Sequence, residues 1–388
     1  MKVLYVATDQ QVPGHVGGSV HVASVARELV ELGHDVKVLV SPGDGLFPDD
    51  GAAWTEMTPP LGLRQLRWLQ TSRVTAVAEQ IQPDVVIERY YNFGGEGIKA
   101  AQRVNAVSVL EVNAPIVDYP GSRKRMVDRA LLIEPMRRWR DWQCRRADLI
   151  VTPRREIVPP WVPPERIVEL EWGADITRFT PDAVGDVPFD RTPSDTVAVF
   201  AGAFRSWHGA VQLAEAVRHL REQGLDQFKA VFVGSGPELS RVRQAASETD
   251  GVQCLGQIPH SAMPACLAAA DIGVAPFDVD AHAPLSLGFY WSPLKIFEYM
   301  AAGLPVVAPD IARLRSLVRH EREGLLYDAN DSEGLMKALG RLSDQKERVQ
   351  FGQSARSRVV EHFGWRAHCE KLTLAIDRVR QHRGVSDD

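Results

Sequence analysis

Apolar and polar positions along the chain alternate in two rhythms. Residues 2–7 read as a buried strand. After the glycine-rich stretch DQQVPGHVGGSVHV begins a helix, with Val22, Val25, Ala26 and Leu29 recurring at helical spacing to about Leu32. Gly33 closes it. Further strands are predicted at 35–40, 84–88, 106–112, 148–152 and 166–170, with helical stretches between most of them. Strands alternating with helices imply parallel sheet covered on both faces.

The rhythm breaks at RFTPDAVGDVPFDRTPSD (178–195), rich in proline and aspartate and without a period, which reads as a linker. It separates a first domain (1–177) from a second (196–362). There the alternation restarts: strands at 196–202, 228–234, 251–256 and 271–277, and helices from Ala210, from Pro237 and near 261–269. A last helix, about 365–380, is expected to pack back on the first domain and to end in a frayed tail. The expected fold class is α/β, two doubly wound Rossmann-like domains facing a central cleft, with ligands outside the strand carboxyl ends.

Composition narrows the function classes. The 388 residues are 45% hydrophobic and 24% charged, with net charge −5, so there is no basic excess to drive nucleic-acid binding. The cysteines (144, 254, 266 and 369) are scattered without a CxxC pair, as expected of reduced thiols in the cytoplasm. No apolar run approaches the ~18 residues of a membrane span, and the first residues lack a signal-peptide core.

Three loops follow strand ends in the second half. SPLKIFEYMAAGLPVVAPD (292–310) starts a helix, with Ser292 suited to the N-cap and Pro293 to the first helical position. Lys295 falls in the first turn, where the helix dipole disfavours a cation by about 0.3–1 kcal/mol. Either it pairs on the surface with Glu298, or a diphosphate at the helix start offsets the field while Glu298 accepts from a ribose diol. FVGSGPEL (232–239) places Gly234 and Gly236 at a turn before a helix, where backbone amides favour an anion. AGAFRSWHGA (201–210) delivers Arg205 and His208 to the equivalent place, either as phosphate donors or as a solvated loop and a cap.

Taken with LGQIPHSAMPACLAAADIGVAPF, GGSVHVASVARELVELGHDVKVL and EWGADITRFTP, these stretches resemble the family 4 glycosyltransferases of the GT-B type over about residues 1–380. The resemblance implies a retaining, metal-independent transfer from a nucleotide-diphosphate sugar to an acceptor hydroxyl. Glu298 would hold the ribose. Gly17 and Gly18 would approach the donor phosphate and sugar, and Gly234 and Gly236 would lie near the nucleotide. Gln257 and Ile258 would read the base through the backbone. The amides of Leu294 and Lys295, behind Ser292, would bind the diphosphate. Tyr290 stands where the family has its first glutamate, Asn113 near a customary histidine, Trp172 for an asparagine, and His208 for a lysine, with Arg205 two places late. Arg205, Lys295 and Glu298 are the expected catalytic set, with a UDP-sugar favoured over a GDP-sugar.

His21, Arg89, Tyr91, Glu111 and Asn113 are candidates for the acceptor or sugar side, with His15 and His282 as further cleft histidines. DVD (278–280) resembles a metal-binding motif but is read as a loop, so no metal ligand is expected. Residues 121–146 are basic and aromatic, with an apolar stripe through Met126, Leu131, Leu132, Met136, Trp139 and Trp142. They form either a helix packed on the sheet or a peripheral contact at the inner face of the membrane. A GT-B-like nucleotide-sugar epimerase and a non-catalytic nucleotide-sugar-binding protein remain open beside the transferase.

Overall fold

The computed structural model describes residues 1–14, 16–247, 249, 251–331 and 333–385. His15 and the last three residues of the tail lie outside them. The chain divides into two compact units, each built on one parallel sheet.

The first unit comprises Met1–Trp172, Tyr290–Ser292 and the last helix. Its strands are β1 (Lys2–Val12), β2 (Asp35–Pro42), β3 (Ala53–Glu56), β4 (Val85–Arg89), β5 (Val107–Glu111), β6 (Leu149–Thr152) and β7 (Ile167–Glu169). They run in the order β3-β2-β1-β4-β5-β6-β7. Helices α1 (Gly17–Glu31), α2 (Thr71–Ile81), α3 (Glu96–Arg103), α4 (Arg123–Leu131) and α5 (Pro135–Arg146) connect them. Every residue of β4, β5 and β6 is buried, the signature of strands covered on both faces. Leu4, Val6, Leu39, Val74 and Val86 form the core on one side.

The second unit, Gly173–Phe289 with Pro293–Gly364, contains β8 (Thr196–Ala201), β9 (Phe228–Val233), β10 (Val252–Gly256), β11 (Ile272–Val274), β12 (Val306–Pro309) and β13 (Gly324–Tyr327). Their order is β10-β9-β8-β11-β12-β13. Helices α6 (Ala210–Glu222), α7 (Leu239–Ser247), α8 (Met263–Ala268), α9 (Leu294–Ala301), α10 (Ala312–Leu317), α11 (Gly334–Arg341) and α12 (Gln345–His362) pack around it. Phe200, Phe204, Phe228 and Phe232 anchor its core. The final helix, α13 (Trp365–Val385), packs against α1, β5 and β6 of the first unit. Among the described residues, no helix is long and apolar enough to cross a membrane.

Several expectations change. β1 does not stop at Ala7: after an irregularity between Ala7 and Gln11 it resumes pairing with β2. The glycines Gly17 and Gly18 consequently form the first turn of α1 rather than a free loop. Residues 178–195 are not a free linker. The unit boundary lies at Trp172/Gly173, and the stretch is built into the second unit: Phe179 and Phe189 are buried, and Asp190 exchanges hydrogen bonds with Gln253.

Candidate active site

In the second unit the loops after β8, β9, β10 and β11 converge around the start of α9. Pro293, not Ser292, is the N-cap, and no side chain caps the helix. Ser292 is engaged elsewhere. Its hydroxyl accepts from the backbone N–H of Trp172 (2.7 Å) and donates to Glu171 (2.9 Å). The amides of Leu294 and Lys295 head α9, where backbone donors have no intrahelical acceptor.

Lys295 does not form the surface ion pair that its spacing from Glu298 allowed. Its aliphatic stem is only partly buried, but Nζ is sealed from solvent and has no hydrogen-bond partner among the described residues. It stands 3.9 Å from the centroid of Phe200 and 5.4 Å from that of Phe277. The Phe200 ring offers cation–π attraction, and no carboxylate among the described residues forms an ion pair with it. Burial lowers its pKa to about 7, with Glu298 opposing the fall. Gly202 makes room for this ammonium, because a Cβ there would come within 3.2 Å of Nζ.

Glu298 lies one turn further along α9, its carboxylate mostly buried, with Oε1 3.4 Å from Nε2 of His260. His260 follows Gln257 and Ile258 after β10, and the sequence reading did not single it out. Gln257 is exposed and Ile258 half-buried. Arg205 is exposed just before a 3-10 turn, Ser206–His208. His208 bonds through Nδ1 to the carbonyl of Ala203. Burial first, then Lys295, holds its pKa down to about 2, so His208 is a neutral group and does not supply the positive charge of the lysine it stands for. Gly234, at φ +126°, is required by packing: a Cβ would fall 1.9 Å from the carbonyl oxygen of Gly202. A Cβ on Gly236 would fall 2.6 Å from the amide nitrogen of Phe204.

The DVD segment is a turn. The Asp278 carboxylate accepts the amides of Asp280 and Ala281 (3.1 and 3.2 Å). His282 stacks on Trp207 at 5.4 Å. A groove of about 800 Å³ nearby is lined by Glu215, Glu222, Asp278, Asp280, Asp331 and Glu333 among others. That acidic lining is unsuited to a diphosphate, and the groove includes neither Lys295 nor Glu298.

In the first unit, strand carboxyl ends gather a buried network around Glu111. The carboxylate accepts from Tyr5 (2.5 Å), Arg89 (2.9 Å) and Asn113. Asn113 in turn accepts from the indole N–H of Trp172 (3.0 Å). His21 is 1% exposed, its Nδ1 3.1 Å from Nη1 of Arg89 and its ring 4.5 Å from Trp172. Because arginine only donates, His21 accepts at Nδ1. Burial and Arg89 push its pKa well below the usual value, so it is a neutral member of the core network. Gly18 is explained locally, since a Cβ would meet Oε1 of Gln10 at 2.2 Å, whereas one on Gly17 would make an ordinary 3.6 Å contact with Trp172. Tyr91 is half-buried, and its carbonyl accepts from Gln143 (3.1 Å).

Sequence reasoning missed Arg67, which is fully buried and reaches Glu96, Asp9 (3.0 Å), the carbonyl of Arg89 (3.1 Å) and Glu88 (3.4 Å). Burial and Glu96 raise the Glu88 carboxyl to about 8. Nothing in RQLRWLQ distinguishes that arginine from its exposed neighbour Arg64. In the basic segment, Arg140 is likewise internal, held by Asp118 and Asp128.

Two parallel doubly wound sheets with this strand order, and an uncapped helix start at the strand carboxyl ends of the second, define a GT-B type glycosyltransferase fold. Residues 195–345 match the family described as Glycosyl transferases group 1, and residues 16–158 match Glycosyltransferase Family 4. The chain belongs to this group of glycosyltransferases. WcaL of Escherichia coli (strain K12), named for colanic acid biosynthesis, is 28% identical over 207 residues, covering 52% of this chain and 48% of that protein. The chain thus aligns with about half the length of that relative. The D-inositol 3-phosphate glycosyltransferase of Thermobispora bispora is 25% identical over 413 aligned positions, covering 97% of this chain and 94% of that protein. Sucrose-phosphate synthase from Thermosynechococcus elongatus superposes with TM-score 0.74 at 18% identity, covering 98% and 99% of the two chains. HepE of Anabaena, in complex with UDP and glucose, gives 0.71 at 16% identity, covering 97% and 100%.

Proposed function

We propose that this protein transfers a sugar from a nucleotide-diphosphate sugar, a UDP-sugar in preference to a GDP-sugar, to an acceptor hydroxyl, with retention of anomeric configuration and without a metal. The observation that carries the reading is the Lys295 ammonium. It is sealed from water, has no hydrogen-bond partner among the described residues, and lies beside the uncapped start of α9, one turn before Glu298. A diphosphate at that helix start would receive the two leading amides, and the ammonium once its side chain turns out of the sealed position. Glu298 is then spaced to accept from the ribose diol, with His260 orienting its carboxylate. The UDP preference is supported by the HepE complexes, which contain UDP and UDP-glucose.

In the transfer, the bond between the anomeric carbon and the diphosphate oxygen breaks. The acceptor oxygen bonds to the same face of the sugar, and its proton passes to the departing diphosphate. Negative charge grows on the leaving group, so preorganised donors make the largest contribution to lowering the barrier. Lys295, Arg205 and the α9 amides are those donors, which is why no divalent cation is required.

The test is a thermal-shift panel of UDP, GDP, ADP and their sugars, followed by product analysis with the donor that binds. A ligand at 100 times its Kd stabilises by about 2.7 kcal/mol. No shift with any nucleotide diphosphate refutes the reading. Binding with conversion of the sugar on the nucleotide, and no transfer, favours an epimerase. Binding without turnover favours a non-catalytic protein.

A further inference from the structure

We propose that the turn between α4 and α5, together with the segment preceding α2, is a docking surface for an anionic lipid bilayer. Leu132 and Leu61 stand 87% and 88% exposed, and both hold left-handed backbone, at φ +57° and +56°. A leucine in that conformation is strained where glycine or asparagine would not be. Each position is thus unfavourable twice in water, in its backbone and in its exposed side chain. Leu131 and Ile133 are also exposed, so three consecutive large apolar residues form the tip of the turn. Trp68, exposed beside Leu61 and Leu63, lies 6.0 Å from Trp139 of α5, which joins the two segments.

The charge around this apolar tip identifies its occupant. Residues 121–146 contain nine lysines and arginines against three acidic residues, in a chain whose net charge is −5. Arg140 is internal, but Arg123, Arg125, Arg129 and Arg138 are exposed. A second copy of the chain would present the same positive face and repel it. A bilayer with anionic headgroups meets the arginines while its acyl region receives the leucines. The inference rests on neither the donor nor the transfer step, so it stands or falls separately from the proposed function.

Co-sedimentation of the whole protein with phosphatidylcholine vesicles, and with vesicles that also contain phosphatidylglycerol, tests it. Binding is expected to the second kind only, weakening with salt. The double variant Leu61→Gly/Leu132→Gly should partition about a hundredfold less, since each buried leucine contributes about tenfold. It should keep its fold, because glycine relaxes left-handed backbone. Arg125→Glu/Arg129→Glu should abolish binding. Wild-type protein remaining in the supernatant would overturn the proposal, as would unaltered binding by the leucine variant. So would concentration-dependent self-association that the leucine variant removes.

Discussion

Replacing Lys295 by methionine separates the two consequences of a buried, unneutralised ammonium. A pKa lowered from the ordinary 10.5 to about 7 corresponds to about 5 kcal/mol against the charged form. Admission of water reduces this, so about 2–5 kcal/mol is the working range. Between those two values the unfolded chain holds a proton that the folded one has released. Stability therefore rises with pH from about 7 to 10.5, and the contribution is unfavourable near and below pH 7. His208, neutral throughout this window, adds nothing to the slope. Lys295→Met should accordingly be more stable than wild type at pH 7, with the advantage shrinking toward pH 10. It should also lose most of its stabilisation by UDP. Chemical denaturation of both proteins from pH 6 to 10, with and without UDP, measures this directly. Because diphosphate holds the lysine protonated, UDP should flatten the wild-type slope relative to the variant. If the variant is less stable at every pH and the two slopes agree, Nζ is not an uncompensated buried charge and the reasoning fails.

Other outcomes follow from the same geometry. Arg205→Ala should leave melting unchanged, because the side chain is exposed, yet lower turnover by about 10²–10³ if it stabilises the leaving diphosphate; steady-state kinetics with the identified donor checks this. Glu298→Gln should weaken nucleotide binding and erase discrimination between UDP and its 2′-deoxy analogue, as read by titration calorimetry. Arg67→Met should destabilise by about 3–5 kcal/mol, since Asp9 and Glu96 lose a buried partner; urea unfolding measures it.

The architecture was largely readable from the alternation of apolar runs, because strands such as β8, buried along their whole length, leave an unbroken apolar mark. β3 left no such mark: AWTE is exposed or half-buried along its length and short. The proline-rich stretch misled because a missing period signals irregular backbone, not mobility, and Phe179 seats it in the second unit. Lys295 was legible as an anomaly from its helix position alone. Its burial was not, because that depends on Phe200 and Gly202, nearly a hundred residues away in sequence. Gly18, Gly234 and Gly236 drew attention as approaches for a ligand; at Gly234 and Gly236 neighbouring backbone forbids a Cβ, whereas at Gly18 only the end of the Gln10 side chain would have to shift. The network of Asp9, Arg67, Glu88, Glu96 and Glu111 is assembled by topology, from three strands, the start of α3 and one 3-10 turn distant in the chain. No local spacing could announce it.

The first unit includes Tyr290–Ser292 and α13 as well as the amino-terminal stretch. That arrangement sets rules for recombination among relatives. A single crossover near residue 177 would hand most of the second unit to a foreign partner while leaving the three-residue insert and the last helix with the wrong parent. Functional chimeras should therefore need four coordinated junctions, and lineages exchanging sugar specificity by gene shuffling should carry the distal helix along with the amino-terminal portion.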